Sequence, residues 1–130
     1  MMTDQITLDT IGQIHVTVTD IDESVAFYRD VLGMKFLFQV PDKDMAFFDC
    51  GGVRLYLGVP EGMERKSSAT IYYRVDDIQA TWKSLTDKGV KVLSKPHLIA
   101  RMDDHELWMG FFNDPADNIV AIMSELPLSS

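Results

Sequence analysis

The sequence is short of several things, and each shortage closes off a class of protein. Across 130 residues it has one cysteine, Cys50, and three histidines. A single thiol can neither close an intramolecular disulfide nor build a thiolate metal cluster, which fits a reducing cytoplasm, with Cys50 as a small buried hydrophobe. Basic residues are scarce: 12 Lys and Arg stand against 20 Asp and Glu, a net charge of −8. A surface of that sign is repelled by a phosphate backbone or an anionic membrane, so neither is expected as a partner. No apolar run approaches the roughly 20 residues that span a bilayer. The opening Met1-Met2-Thr3-Asp4-Gln5 lacks the basic head and apolar core of an export signal, and the expected location is cytoplasmic. The three histidines show no ligand spacing of the His-x-x-x-His kind.

What is present is a core and a repeat. Hydrophobic residues make up 46% of the chain, enough for one compact unit. Over 11–18, Ile14, Val16 and Val18 alternate with Gln13, His15 and Thr17, the period of a strand with one apolar and one polar face. Asp20 stands as N-cap with Glu23 three residues on, and Ile21, Val25, Tyr28 and Leu32 form the stripe of an amphipathic helix closed by Gly33. Residues 34–40 read as a strand ended by Pro41 and Asp42-Lys43-Asp44, and 45–50 and 53–59 as a hairpin turning on Gly51-Gly52. Residues 1–10 read as a polar lead-in, an extra edge strand or arm. Residues 60–68, with Glu61, Glu64, Arg65 and Lys66, read as a linker.

Beyond the linker the pattern restarts. Val75-Asp76-Asp77-Ile78 aligns with Val18-Thr19-Asp20-Ile21; Ile78, Trp82 and Leu85 repeat the helical stripe over 78–88, and Gly89 matches Gly33. Residues 90–93, 107–112 and 118–123 read as strands. The stretch 94–106, carrying Pro96, His97, Arg101, Asp103, Asp104 and His105, reads as a loop over an opening. Each half is thus βαβββ, module one over about 11–59 and module two over about 69–125 of a single domain spanning 1–130.

Two motifs make this plan specific: Phe27-Tyr28-Arg29-Asp30-Val31-Leu32-Gly33-Met34 at the end of the first helix, and Asp114-Pro115-Ala116-Asp117-Asn118 at the last hairpin turn. With the tandem repeat they resemble the vicinal oxygen chelate superfamily, which includes glyoxalase I, bleomycin-resistance proteins, fosfomycin-resistance thiol transferases, extradiol dioxygenases and methylmalonyl-CoA epimerase. The likeness covers residues 11–125. It implies an α+β fold in which tandem βαβββ modules form a cupped, eight-stranded mixed sheet with helices outside. It implies little about the reaction, since one fold serves many chemistries.

In the metal-dependent members of that superfamily, four ligands enter the cup from the first and last strands of each half. Carried across one at a time, these positions fall on Gln13, Tyr56, Thr70 and Ala121. Glutamine is an accepted ligand at the first; the family more often has glutamate, histidine and glutamate at the other three. One amide, one phenol, one hydroxyl and one methyl repay a hard divalent ion too little for its lost water. The usual metal site is therefore expected to be absent, and no cofactor is expected. A displaced site would draw on Gln13, His15 and His105.

By alternation the cup receives Gln13, His15, Thr17, Arg54, Tyr56, Thr70, Tyr72, Arg74, Ala121 and Met123, while Ile14, Val16, Leu55, Leu57, Ile71, Tyr73, Val75, Val120 and Ile122 face the helices. Trp108 is added to the lining, with core packing as its other reading, and Trp82 is core. A guanidinium facing a partly enclosed cavity costs several kcal/mol unless paired, so Arg54 and Arg74 ask for carboxylates at the rim or for an anionic ligand. Two functions stay open. One is a metal-free protein of the bleomycin-resistance kind, binding a small aromatic or anionic molecule. The other is a metal-dependent lyase or dioxygenase with a non-standard ligand set, in which His15, Tyr56 and Tyr72 are the candidate catalytic groups. The resemblance and the uncovered sheet edges together imply a homodimer.

Overall fold

The structure, a computed structural model, describes residues 10–60 and 69–128. The lead-in expected over 1–10, apart from Thr10, and the linker expected over 60–68, apart from Pro60, lie outside the described residues. The first half runs β1 (Gln13–Thr17), α1 (Ile21–Ala26) continuing into a π-helical turn (Phe27–Val31), β2 (Lys35–Val40), β3 (Met45–Cys50) and β4 (Val53–Gly58). The second runs β5 (Ile71–Arg74), α2 (Ile78–Asp87), β6 (Lys91–Arg101), β7 (His105–Asn113) and β8 (Ile119–Pro127). The eight strands divide into two four-stranded mixed sheets of the same topology, β1-β4-β3-β2 and β5-β8-β7-β6.

The two helices start by the same device. Asp20 accepts a hydrogen bond from the Glu23 N–H (3.0 Å) and Asp77 one from the Ala80 N–H (3.1 Å), each satisfying a donor that the first helical turn leaves free. Gly33 and Gly89 then take φ values of +70° and +83°, the left-handed conformation that turns the chain back into its next strand. Each helix covers the apolar face of its own sheet. Val16, Val25, Ala46, Phe48, Leu55 and Leu57 are buried in the first core, and Ile78, Leu85, Phe112, Val120 and Ile122 in the second. Trp82 packs on the second core as expected.

The halves are joined through their helix-side cores, Phe27 and Leu32 touching both. Tyr28, 2% exposed, donates its hydroxyl to Asp114 Oδ2 at 2.8 Å. Asp114 also accepts from the N–H groups of Ala116 and Asn118 and from Asn118 Nδ2, each at 2.8 Å. Asn118 Nδ2 reaches the Thr17 carbonyl of the other half as well (2.8 Å). The two motifs that carry the resemblance are therefore two sides of one latch. A buried hydrogen bond to a charged acceptor is worth roughly 1.5–3 kcal/mol. Burial, then the neighbouring Asp114 carboxylate, pushes the Tyr28 phenol far above its ordinary pKa, so it stays a donor.

Two expectations need correction. The stretch 94–106 is strand rather than loop: β6 extends to Arg101 and β7 begins at His105, leaving 102–104 as the turn. The extra length is absorbed by three register shifts between β6 and β7, and Pro96 is tolerated because β6 is an edge strand. The last strand also runs on to Pro127 rather than ending at 123, which brings in Glu125.

Candidate functional site

The period of two holds along β1 and β4, so Gln13, His15 and Thr17 share the face opposite the helices with Arg54, Tyr56 and Gly58. On that face the register makes a row of rings. Phe38 pairs with Phe47, Phe47 with Tyr56, and Tyr56 with His15. The ring centroids lie 4.8 Å apart for Phe38 and Phe47 and 4.9 Å for Phe47 and Tyr56, both stacked; His15 meets Tyr56 edge-to-face at 4.5 Å. These separations match the spacing of neighbouring strands, about 4.8 Å. The three stacked rings therefore stand on the sheet like books, showing their edges to the cup. Arg54 adds a guanidinium 5.9 Å from the Phe47 centroid, within cation–π range.

Alternation alone misses this row. Phe36 and Phe38 are two residues apart and should face the same way, yet Phe36 packs on the first core while Phe38 joins the rings. A register shift between Phe36 and Phe38 supplies the extra residue that turns Phe38 over. Phe47 was hidden for another reason. It stands between Ala46 and Phe48 in an apolar run that shows no period.

The second sheet presents a different lining. Tyr72, Ala121 and Phe111 occupy one row, with Tyr72 and Phe111 meeting edge-to-face at 6.0 Å across the alanine. Further along the same face, Glu125 accepts from Arg74 Nη1 (3.4 Å) and lies 3.2 Å from His105 Nε2, whose Nδ1 is 2.7 Å from Asp104. Glu125 was missed because the last strand was expected to stop short of it. One of the two expected arginines thus meets a protein carboxylate, Arg74. Among the described residues, no carboxylate is recorded in ion-pair contact with Arg54.

Thr70 precedes β5, half-buried, and Met123 lies on the same face as Ala121. Of its two readings Trp108 takes the core one, not the cup lining: it lies on the face of β7 opposite Met109, packed on the second core with its Nε1 donating to Glu106 (3.2 Å). The candidate metal ligands are not gathered. Gln13 and His15 are on β1 of the first sheet and His105 is at the start of β7 in the second. Among the described residues no group of three or more His, Cys, Asp or Glu is placed to hold an ion. The four positions that carry the family's metal do not fit one either. Tyr56 is held between Phe47 and His15, and Ala121 is fully buried beneath Tyr72 and Phe111. A cavity of about 110 Å³ lies on the other face, under α2, lined by apolar groups such as Leu85, Phe112 and Ile122. Tyr73 and Thr81 add hydroxyl-bearing side chains to its lining, and no formally charged side chain is among them. Burial and then Asp49 push the Cys50 thiol up, away from nucleophilic use.

This fold and face can be set beside known proteins. The model of the Glyoxalase/Bleomycin resistance protein/Dioxygenase superfamily matches residues 10–122, and the chain belongs to that superfamily. It is 30% identical over 130 residues, 88% of this chain and 97% of the relative, to the uncharacterized protein YraH of Bacillus subtilis (strain 168). Among solved structures it superposes on lactoylglutathione lyase from Agrobacterium tumefaciens with a TM-score of 0.74, 20% identity and coverage of 91% of this chain and 95% of that one. It also superposes on TnmS3, an antibiotic binding protein from Streptomyces sp. CB03234, with a TM-score of 0.72, 20% identity and coverage of 93% and 99%. An enzyme and a binding protein on one fold leave the choice to the side chains.

Proposed function

We propose that this chain binds a small, planar aromatic molecule carrying an anionic group, without a metal ion, on the concave side of its sheets. The ring row Phe38-Phe47-Tyr56-His15 with Arg54 beside it carries the proposal. Aromatic edges are the positive end of the ring quadrupole. Stacked as they are, these rings offer the cup a positive rim to which Arg54 adds a full charge, in a chain of net charge −8. An electron-rich π face with a carboxylate is its complement. The antibiotic binding of TnmS3 is a precedent on this fold for holding a small molecule. The chemistry of the family's metal positions, Gln13, Tyr56, Thr70 and Ala121, supports a metal-free site.

A second copy of the chain completes the cup in this proposal. His15, Arg54, Tyr72 and Arg74 are exposed, and apolar Phe38, Leu98 and Ile99 lie uncovered on the outer strands β2 and β6. Sedimentation should give a homodimer; a monomer at micromolar concentration would remove this part. The lone Cys50 and acidic composition support a cytoplasmic location. The binding itself is tested by thermal shift with 2-naphthoate and its uncharged amide, since a ligand held only by the folded state raises the melting temperature. Selective stabilisation by the carboxylate is expected; equal or absent shifts would overturn the proposal.

A further inference from the structure

Gly58 ends β4 on the concave face, two residues beyond Tyr56. Its φ is not among the positive values found at Gly33, Gly51, Gly52 and Gly89, so its backbone conformation is open to any residue. The reason for a glycine is space. A Cβ placed there would lie 2.9 Å from His15 Nε2 and 3.2 and 3.3 Å from Tyr56 Cε1 and Cζ. A carbon that close to a ring atom is well inside contact distance. All three atoms belong to side chains of the proposed site, and none to the backbone or the core. Gly58 is itself buried, so the two rings roof it over.

We infer that Gly58 is a positioning residue for the binding face: its missing side chain is the notch into which His15 and Tyr56 close, and this closure sets the end of the ring row. The equivalent position of the second half shows the converse. Gly58 corresponds to Met123 and Tyr56 to Ala121, so there the small residue sits one step earlier and it is Tyr72 and Phe111 that close over it. Each half thus has one small residue on the concave face of the strand paired with its first strand, and each has two rings meeting over that residue. Where the small residue stands decides which rings meet.

A methyl group at 58 has one inexpensive way out, which is to push the tip of His15 and the edge of Tyr56 away. The fold survives, because those atoms are the far ends of side chains rather than backbone, and alanine restricts the unfolded chain more than glycine does. The edge-to-face pair opens. The consequence for ligand binding rests on the function proposed above; the seat for the rings does not.

The test is Gly58→Ala, alone and in a His15→Ala background, read by NMR of the aromatic resonances, by thermal unfolding and by 2-naphthoate titration. In Gly58→Ala the His15 ring protons should lose the ring-current shift from Tyr56 and move toward free-imidazole values while the melting temperature is kept. Naphthoate affinity should fall up to about tenfold, the upper range of a ring contact. With His15 already removed, Gly58→Ala should cost less affinity than it does alone, because the nearest contact is gone and only the Tyr56 edge is left to displace. Unchanged His15 resonances in Gly58→Ala would overturn the inference, and so would an equal loss of affinity in both backgrounds. If the wild-type protein does not bind naphthoate, the proposed function fails and the His15 resonances alone decide the role of Gly58. Gly110→Ala is the control. Its Cβ would press on Trp82 and Pro96 on the helix side, so its effect should fall on stability and leave the His15 resonances in place.

Discussion

His15, Tyr56, Phe47 and Phe38 in the first sheet stand where Tyr72, Ala121, Phe111 and Ser94 stand in the second. On the helix side the two halves are interchangeable in kind: Leu55 and Leu57 in one correspond to Val120 and Ile122 in the other, all buried. On the concave side they have parted. Among the described residues, the first sheet carries rings and a guanidinium with no carboxylate in ion-pair contact; the second carries Arg74, Glu125 and His105 in a chain of polar contacts. Among the described residues, every ion pair involving a strand residue belongs to the second sheet. Packing against a helix favours apolar side chains of the right volume. The open face has no such constraint, and there the halves were free to divide the work into an aromatic side and an ionic one.

The sharpest way to break the comparison is to separate the halves. Asp114→Ala removes the acceptor that ties Tyr28, Ala116 and Asn118 together and should cost at least about 3 kcal/mol, with Tyr28→Phe costing roughly 1.5–3 kcal/mol. Urea unfolding checks both; a loss below about 1 kcal/mol for Asp114→Ala would mean that the latch is not what joins the modules.

A second comparison sets one arginine against the other. Among the described residues Arg54 has the Phe47 ring as its side-chain partner, whereas Arg74 is shared with Glu125. Arg54→Ala should therefore weaken naphthoate binding about tenfold, the worth of a desolvated charge contact. Arg74→Ala should weaken it no more than about threefold. Equal losses measured by fluorescence titration would erase the distinction between the two faces. Neither change should move stability by more than about 0.5 kcal/mol, as expected of exposed positions.

The smallest effect is electrostatic. Hydrogen bonds from Arg101, then from Trp108, hold the Glu106 carboxyl below its usual range. A depressed carboxylate stabilises the fold above its unfolded pKa, about 4.3, and that contribution fades as pH falls through the lower folded value. Melting temperature should be level from pH 6 to 8 with respect to this group and decline below about pH 4. Arg101→Gln should make the acid decline shallower, while Arg54→Gln should leave it alone. Parallel acid limbs in all three proteins would place the acid sensitivity elsewhere.

Most of the fold was legible because its signals are local. Asp20 and Asp77 cap helices, Gly33 and Gly89 end them, and the apolar stripes between are strongly periodic. The polar face of β1 and β4 was legible for the same reason, which is why His15, Arg54 and Tyr56 were named from the sequence. What escaped depends on register. A single bulge moves Phe38 to the concave face, three register shifts turn an expected loop into β6, and the continued strand β8 carries Glu125 to Arg74. A bulge is a non-local compromise between two strands, and no single segment announces it. Trp108 was left with two readings for a different reason. One residue of phase decides whether it faces the cup or the core, and in an apolar run such as Leu107-Trp108-Met109 the phase is not written.

The central claim is that the first sheet's ring row and Arg54 hold an aromatic anion without help from a metal. Calorimetric titration of 2-naphthoate, made with chelator-treated protein and again with a divalent ion added back, tests it most directly. The affinity should be the same in both. Binding that disappears with the chelator and returns with the ion would contradict the account.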